Sequence, residues 1–465
     1  MATKTNTNER RIYALDSRNL SQEQIAVTFA MTSRRPEAFD EISRVVNEAK
    51  AADFNERWVL NYGHSSVAEH AVLHMAVENI SRLAADDVED NRLAAYTEKS
   101  SRYQVLETGS YYTPKELAQN PDIELAYKQA CDSLFKSYEQ TIAGSIRFLK
   151  IQNPQKPDEK ESGYNLRLRR IATDHCRFIL PASTLTNVGM TINSRSLEHA
   201  ITKLLSSDLQ ELREIGQELK EQGRKMTPTL IKYADRNEYI VGTRQAQKNA
   251  SKSLPTKPMS SYSKLVQFDV NAERKVATAL LYRFSNEPYE AVKKRIDEAL
   301  LESLESIMDD ALKTLGAHDV PVRELENVDY TFEFLLDYGA YRELKRHRMM
   351  SYIAQPATVA HGYVIPDLIE QASLSEEFKK AMDVSQEAFN KIYKETPLIA
   401  PYVTTHAHLR RVICKMNLRE CYHLFKLRTG PDAHFTLRRV MMQAMEQANQ
   451  VHPLLFKHLQ LRSVP

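Results

Sequence analysis

Apolar residues recur along this chain with two different spacings. Stretches in which every third or fourth residue is apolar predict amphipathic helices, and three long ones cover residues 123–150, 288–315 and 375–393. Shorter stretches in which apolar and polar residues alternate predict half-buried strands, as at residues 71–77 and 330–335. The three helical stretches carry no motif, so we assign their apolar faces to core packing. The pattern therefore predicts a helix-rich fold with a few strands.

The length and composition of the chain allow a packed protein with more than one domain. Its 465 residues suffice for two or three domains with full cores, and 42% of them are hydrophobic. Glycine is scarce, with only 12 residues, which favours helices. The formal net charge of +2 gives no indication of a nucleic-acid or membrane partner.

Three further features indicate a cytoplasmic protein. The four cysteines include no Cys-x-x-Cys pair, which fits a reducing compartment. Residues 1–11 are polar and lack the apolar core of a signal peptide. No stretch of about 18 uncharged apolar residues occurs, so we expect no membrane span.

Three side chains that can carry positive charge stand in a row after the strand pattern at 330–335. They are Arg346, His347 and Arg348. The planar guanidinium group of arginine suits phosphate oxygens and stacks on flat rings, so this triplet is a candidate clamp for an anion or a cofactor. The alternative is a solvated basic turn, since runs of charge are common on protein surfaces.

A second candidate site is formed by Glu98, Ser100 and Arg102. In an extended segment, side chains two residues apart point the same way, which would bring a carboxylate, a hydroxyl and a guanidinium group together. Such a patch suits a nucleoside monophosphate, with the arginine on the phosphate. The alternative is a polar surface loop.

A third candidate is the pair Asn417 and Arg428, which belong to one predicted helix. They are eleven residues apart, so they differ by only about 20° around the helix axis and lie about 16 Å apart along it. One helix can therefore contact two parts of a site. The alternative is a buried helix whose arginine reaches out to solvent.

Several other kinds of site are excluded by the sequence. His406 and His408 suggest a metal pair, but no third ligand has suitable spacing, so we predict no metal site. Neither a Gly-x-Gly-x-x-Gly motif nor a phosphate-binding loop motif is present. No cysteine stands in a context typical of a nucleophile.

The segment Arg346–Ser351 reads Arg-His-Arg-x-x-Ser and resembles the signature of the flavin-dependent thymidylate synthases. In that family the signature continues to Ser-x-Arg-Tyr. This chain instead has that ending in its first half, at Ser100–Tyr103, and lacks it after Arg-His-Arg, where residues 353–359 differ from the family pattern. Gly63–His70 also resembles the family block Gly-His-x-Ser-x-x-Glu-His.

The resemblance extends to both halves, which indicates two copies of the family fold. Residues 176–181 are similar to the family's Arg-x-x-Leu-Pro segment, and Asn193 and Asn417 each head a similar helix. The copies differ, because Leu204 stands where the second copy has Arg428. We predict a first copy at residues 1–235, a polar linker at 236–264 and a second copy at 265–465.

The resemblance implies an α+β fold, a site assembled from both copies, and a homodimer that forms a pseudo-tetramer. The implied flavin contacts are Arg346, His347, Arg348, His70, Asn417 and Asn193. The implied nucleotide contacts are Glu98, Ser100, Arg102, Arg428 and Arg177. The chemistry would be carried by the flavin, with no catalytic side chain.

The implied reaction is the reductive methylation of dUMP at C5 to give dTMP. Methylenetetrahydrofolate would supply the carbon, and NADPH would reduce the FAD. The absence of a nucleophilic cysteine fits this mechanism, since the other class of thymidylate synthases needs a thiolate. Two alternatives stay open: a non-catalytic homologue that binds flavin or nucleotide as a scaffold or sensor, and a related enzyme that modifies another pyrimidine nucleotide.

Overall fold

The computed structural model describes residues 10–15, 17–61, 63–254 and 261–462. The chain is α+β and helix-rich, as predicted, and divides into two compact units. Unit 1 consists of Met1–Lys99, Pro114–Glu116 and Leu185–Leu254. Unit 2 consists of Ser100–Thr113, Leu117–Thr184 and Pro255–Pro465. None of the helices within the described ranges combines the length and the apolar character that a membrane span requires.

Helices and strands alternate along the chain. The α-helices are α1 (Gln22–Met31), α2 (Phe39–Val45), α3 (Glu48–Phe54), α4 (Arg82–Val88), α5 (Pro121–Gln152), α6 (Glu161–Cys176), α7 (Ser194–Leu205), α8 (Gln210–Met226), α9 (Glu238–Ser251), α10 (Ala272–Tyr282), α11 (Tyr289–Asp297), α12 (Leu301–Leu312), α13 (Tyr338–Leu344), α14 (Asp367–Gln371), α15 (Ser375–Glu395), α16 (Leu418–Arg428), α17 (Phe435–Val451) and α18 (Pro453–Phe456). The strands are β1 (Val72–Ser81), β2 (Ala94–Glu98), β3 (Leu185–Asn193), β4 (Ser263–Phe268), β5 (Asp329–Leu336), β6 (Ser351–Ala354) and β7 (Arg410–Asn417). Short helical turns at Asn55–Asn61 and Ser65–His70 precede β1.

Each unit contains one antiparallel sheet. The sheet of unit 1 has the order β1-β3-β2, and its core is completed by apolar residues of α7 and α8, such as Leu197 and Leu212. The sheet of unit 2 has the order β4-β5-β7-β6, and α16 and α17 contribute to its core. The predicted strands at 71–77 and 330–335 are β1 and β5, and buried residues alternate along most of β5 because one of its faces covers the core.

The two sheets share the same order of elements once β4 is set aside. In each, the first strand leads through a capping side chain into a short helix: Ser81 accepts a hydrogen bond from the backbone N–H of Ala84, and Asp337 accepts one from that of Ala340. The last strand of each sheet likewise ends in a capping asparagine, Asn193 in unit 1 and Asn417 in unit 2. The repeated order agrees with the repeats seen in the sequence.

Unit 2 contains equivalent segments from both predicted copies. Helix α5, from the first copy, packs against α15, from the second, through apolar residues that include Phe135 and Phe378. The segments that follow α6 and α15 also pair through their backbones, since the N–H of Ala182 donates to the carbonyl oxygen of Thr404 at 2.8 Å. The compact units therefore group residues differently from the predicted domains, whose boundaries stay a prediction.

Two predicted elements differ from the structure. The predicted linker 236–264 contains α9, a helix without buried residues, and β4 begins inside it, whereas residues 255–260 lie outside the described residues. The large apolar residues of α9, Tyr239, Ile240 and Val241, are consecutive, so they do not form the stripe of helical period by which a sequence reveals a helix. The single helix predicted at 288–315 is two helices, α11 and α12, because the backbone is extended at Leu300.

Candidate functional site

The Arg-His-Arg triplet lies in the turn between α13 and β6. The side chains of Arg346 and Arg348 are exposed, whereas His347 is buried. In the described part of the chain, no carboxylate forms an ion pair with either arginine. Two positive charges are therefore presented to solvent on either side of a buried imidazole, as the clamp interpretation requires.

The imidazole of His347 is held from both sides. Its Nε2 atom lies 2.9 Å from Nε of Arg428, and its Nδ1 atom lies 2.8 Å from Oε1 of Glu420. Because a guanidinium group only donates hydrogen bonds, Nε2 must be the acceptor and Nδ1 must carry the proton that bonds Glu420. The contacts thus fix one neutral tautomer of His347.

These contacts also bring three possible metal ligands together. Within the described ranges, His347, Glu420 and His423 offer atoms that lie within 4.8 Å of one another. The sequence did not suggest this group, since His347 is 73 residues from Glu420. A metal bound at either ring nitrogen of His347 would displace a hydrogen bond that the histidine already makes, to Glu420 or to Arg428. The arrangement therefore favours a hydrogen-bonded chain, and the expectation of no metal stays a prediction.

Helix α16 positions Asn417 and Arg428 at its two ends. The side chain of Asn417 accepts a hydrogen bond from the backbone N–H of Glu420 at 2.9 Å, so it caps the helix. Arg428 donates from Nη1 to Oε1 of Glu343 at 2.7 Å. Burial lowers the pKa of Arg428, and Glu343 partly opposes that effect. The predicted phosphate-binding arginine is thus already paired with a carboxylate on α13.

The segment predicted to align Glu98, Ser100 and Arg102 is not extended throughout. Strand β2 ends at Glu98, and a turn follows at residues 101–103, in which the hydroxyl of Ser100 accepts the backbone N–H of Arg102 at 3.2 Å. The turn breaks the alternation on which the prediction depended, so the expected alignment of the three side chains was wrong.

The carboxylate of Glu98 is already bonded to other side chains of unit 1. Its side chain is 1% exposed and lies 2.7 Å from the guanidinium group of Arg82, which is fully buried. The hydroxyl of Thr186 donates to the same carboxylate at 3.0 Å. Replacing Arg82 or Glu98 by a neutral residue would leave the other as a buried charge without this partner. This ion pair therefore holds β2 and α4 together. In this structure the carboxylate of Glu98 is not accessible to a ligand, contrary to the predicted role.

Arg102 and Arg177 share one carboxylate in unit 2. Arg102 donates from Nε and Nη2 to the two oxygens of Asp174, each at 3.0 Å, and Arg177 lies 2.9 Å from the same residue. Arg177 also donates to the hydroxyl of Ser101 at 3.3 Å. Burial would raise the pKa of Asp174, but the two arginines lower it below its ordinary value.

Stacked aromatic rings join the segment that contains Arg177 with the segment that follows α16. The ring of His175 stacks on Phe435 at 4.9 Å, and the ring of Phe178 stacks on His434 at 5.7 Å. The backbone N–H of His434 donates to Glu343 at 3.4 Å, and Glu343 in turn binds Arg428. The predicted nucleotide arginines of both copies therefore lie in one compact unit.

The three arginines of this region, Arg102, Arg177 and Arg428, surround two carboxylates that the sequence did not reveal. Glu343 contributes to raising the pKa of Arg102, although burial opposes this and Asp174 is the stronger partner. Asp174 is 72 residues from Arg102, and Glu343 is 85 residues from Arg428. At such separations, no local spacing in a single sequence indicates the pairing.

His70 lines a cavity of about 300 Å³ in unit 1. Its ring lies 5.0 Å from that of Phe29. Arg34 and Trp58 also line the cavity, and the guanidinium group of Arg34 lies 4.0 Å from the ring of Trp58. Flat rings and a cation suit an aromatic ligand with negative charge. Only His70 among these residues was predicted. The flavin contacts predicted for His70 and Asn193 stay predictions.

The sequence of the chain matches one protein-family model over most of its length. The family model described as thymidylate synthase complementing protein matches two segments, residues 15–229 and 264–454. The chain belongs to this family. The thymidylate synthase complementing protein model thus accounts for most of the chain, once in each half, as the resemblance of the motifs predicted.

Relatives of the chain fall into two groups. A UPF0159 protein of Chlamydia muridarum is 30% identical over 424 residues, which cover 87% of this chain and 80% of the relative. A flavin-dependent thymidylate synthase of Clostridium tetani is 25% identical over 213 residues, which cover 46% of this chain and 82% of the relative. The chain therefore resembles the first over most of its length and the second over less than half.

A solved structure is also similar to part of this chain. The UMP/dUMP methylase PolB of Streptomyces cacaoi, bound with 5-Br dUMP, matches with a TM-score of 0.36 and 15% identity. The match covers 44% of this chain and 96% of that protein.

Proposed function

We propose that this chain is a flavin-dependent thymidylate synthase-like enzyme that methylates dUMP at C5 to dTMP. Methylenetetrahydrofolate would be the carbon donor, and NADPH the reductant. The observation that carries the proposal is the pair of exposed guanidinium groups of Arg346 and Arg348, which no described carboxylate neutralises, beside a histidine of fixed tautomer. Family membership supports it, because the motif that contains them is the family's own.

The residues of unit 2 fit a flavin nucleotide. Arg346 and Arg348 offer positive charge and planar donors to the pyrophosphate group of FAD. His347 is bonded to both Glu420 and Arg428, so it fixes the turn that presents the two arginines. Asn417 caps α16 with its side-chain oxygen and keeps its amide N–H groups for a ligand. When bound, FAD would supply the electron-transfer chemistry.

The nucleotide would be held through its phosphate by Arg102, Arg177 and Arg428. Charge-assisted hydrogen bonds from arginines are the strongest contacts that a protein side chain offers to phosphate. The hydroxyl of Ser100 lies next to this group along the chain, at the start of the turn that carries Arg102. These residues would bind and orient the pyrimidine nucleotide, and none of them would act as a nucleophile.

Flavin binding is the first test of the proposal. The purified protein, reconstituted with FAD and freed from excess, should show flavin absorbance that is bleached by NADPH. Arg348→Ala should lose most of that absorbance while keeping its circular dichroism spectrum. The matched control is Arg323→Ala, which removes another exposed arginine of unit 2. A wild-type protein that binds no FAD would remove the proposal.

A second candidate is a homologue that modifies another pyrimidine nucleotide or only binds one. The observation that favours it is the pairing of the predicted phosphate arginines with Asp174 and Glu343. Isotope transfer from labelled methylenetetrahydrofolate to dUMP, UMP and dCMP separates these outcomes. Methylation of dUMP alone would support the main proposal, and methylation of another nucleotide would favour the second. The proposed dimer is tested separately by light scattering.

A further inference from the structure

The predicted phosphate subsite is already largely neutralised by the chain itself. Arg428 is bound by Glu343 at 2.7 Å, and both side chains are mostly buried, with exposed fractions of 20% and 15%. Asp174 binds Arg102 through both carboxylate oxygens and also binds Arg177. Three guanidinium groups therefore face Asp174 and Glu343, and the fully buried Asp337 also interacts electrostatically with Arg177, so much of their positive charge is already balanced. The phosphate of a nucleoside monophosphate carries about −1.5 to −2 at neutral pH.

We propose that Glu343 and Asp174 determine which anions this subsite accepts. As internal counter-ions, they hold the three arginines in place when no ligand is bound, and they repel the second negative charge of a phosphate monoester. The subsite is thereby matched to a singly charged group, and a doubly charged phosphate binds more weakly than three arginines alone would allow. The inference rests on the proposed function, because it concerns the same nucleotide site.

The geometry makes Glu343 the more decisive of the two. Its carboxylate binds Arg428 and accepts the backbone N–H of His434. It also interacts electrostatically with Arg102, although burial and Asp174 influence the pKa of that arginine more strongly. A phosphate bound between Arg102 and Arg428 would lie close to this carboxylate. Replacing Glu343 by glutamine keeps an oxygen that accepts hydrogen bonds from Arg428 and removes only the charge.

Calorimetry with three probes of different charge tests the proposal. The probes are dUMP at pH 8, its 5′-methyl phosphodiester, which carries one charge, and uncharged deoxyuridine. Glu343→Gln should bind dUMP about tenfold more tightly than the wild type, because one repulsive charge is removed at short range. The gain should be smaller for the methyl ester and absent for deoxyuridine. Asp174→Asn should shift the affinities in the same order.

The matched control is Glu326→Gln, which removes the carboxylate of another glutamate–arginine pair in unit 2, at 2.7 Å from Arg419. It should leave all three affinities unchanged, and thermal unfolding should show that each variant is folded. Unchanged or weaker dUMP binding by Glu343→Gln, with measurable wild-type binding, would overturn this inference and leave the proposed function standing. If none of the proteins binds dUMP, this inference and the proposed methylation of dUMP are both overturned. FAD binding in that case would still support the flavin site at Arg346 and Arg348.

Discussion

The turns that follow α4 and α13 occupy equivalent places in the two sheets, yet they carry opposite charges. In unit 1, Asp90 receives hydrogen bonds from Nζ of Lys203, at 2.9 Å to its carbonyl and 3.2 Å to its carboxylate. In unit 2, the equivalent turn exposes Arg346 and Arg348 and buries His347. The carboxylate of the first turn is paired with Lys203 of α7, whereas the second turn keeps positive charge at the surface.

The helices that follow the last strand of each sheet, α7 and α16, show the same contrast. Leu204 of α7 is 1% exposed and belongs to the apolar core of unit 1. Its counterpart Arg428 of α16 makes hydrogen bonds to His347 and Glu343. One scaffold thus serves apolar packing in one place and a network of polar side chains in the other. A repeated fold therefore does not imply a repeated site.

The largest expected effect comes from making the first helix resemble the second. Leu204→Arg would place a guanidinium group in the apolar core of unit 1, among side chains such as Leu197 and Ile201. A buried charge without a partner costs about 3–5 kcal/mol, so unit 1 should unfold at much lower urea concentration. The neighbouring Leu205→Arg is the control, because a half-buried position lets the side chain reach water. If Leu204→Arg unfolds at the same urea concentration as the wild type, position 204 tolerates a charge as position 428 does, and the contrast between the two helices is contradicted.

Removing arginines from the second site should mainly affect binding. Arg102→Ala and Arg428→Ala should each weaken dUMP binding by about ten- to a hundredfold, since each deletes a charge-assisted contact of about 1.5–3 kcal/mol. The double variant should lose less than the product of the two factors, because residues that share one ligand group are coupled. Calorimetry on the four proteins of the cycle measures this. Strictly multiplicative losses would assign the arginines to separate sites.

A smaller effect is expected from the residues at the centre of each turn. His347→Ala removes one buried hydrogen-bond partner from Glu420 and one from Arg428, at a cost of about 2 kcal/mol of folding free energy. Asn91→Ala removes hydrogen bonds from a half-buried side chain in unit 1 and should cost about 1 kcal/mol or less. Urea unfolding of both variants compares the two. Equal losses would contradict the stronger constraint on His347.

The smallest effect is expected at the ion pair of the first turn. Asp90→Asn weakens the contact with Lys203, which is partly solvated, so folding should lose only a few tenths of a kcal/mol. FAD content should not change, because this turn has no proposed contact with the flavin. Thermal unfolding and the flavin absorbance of the purified variant check both points. A marked loss of FAD would give the first turn a functional role.

Much of the fold was predictable because its signals are local. The alternation at 330–335 and the asparagines at the starts of α7 and α16 are properties of neighbouring residues, and the structure has the corresponding elements. Helix α9 was missed because its large apolar residues are consecutive and do not form a stripe of helical period. The site was harder to predict for a different reason.

The candidate site depends on partners that are distant in the sequence. The motif identified Arg102 and Arg428 as possible phosphate ligands, but nothing near them in the sequence indicates Asp174 or Glu343. Glu98 shows the opposite case, because its position before Ser-x-Arg-Tyr suggested a ligand contact while its carboxylate pairs with Arg82. The sequence revealed residue types with the right chemistry, and only the fold reveals which of them are already paired.

The packing of α5 against α15 bears on how the chain is made. Apolar residues of α5, among them Leu134 and Phe135, lie in the same core as Phe378 and Met382 of α15. During synthesis, α5 leaves the ribosome about 240 residues before that partner, a delay on the order of 10–50 s at 5–20 residues per second. For that time its apolar face is available to chaperones or to other nascent chains. Translation that stops near residue 236 would release a fragment in which this face stays permanently uncovered.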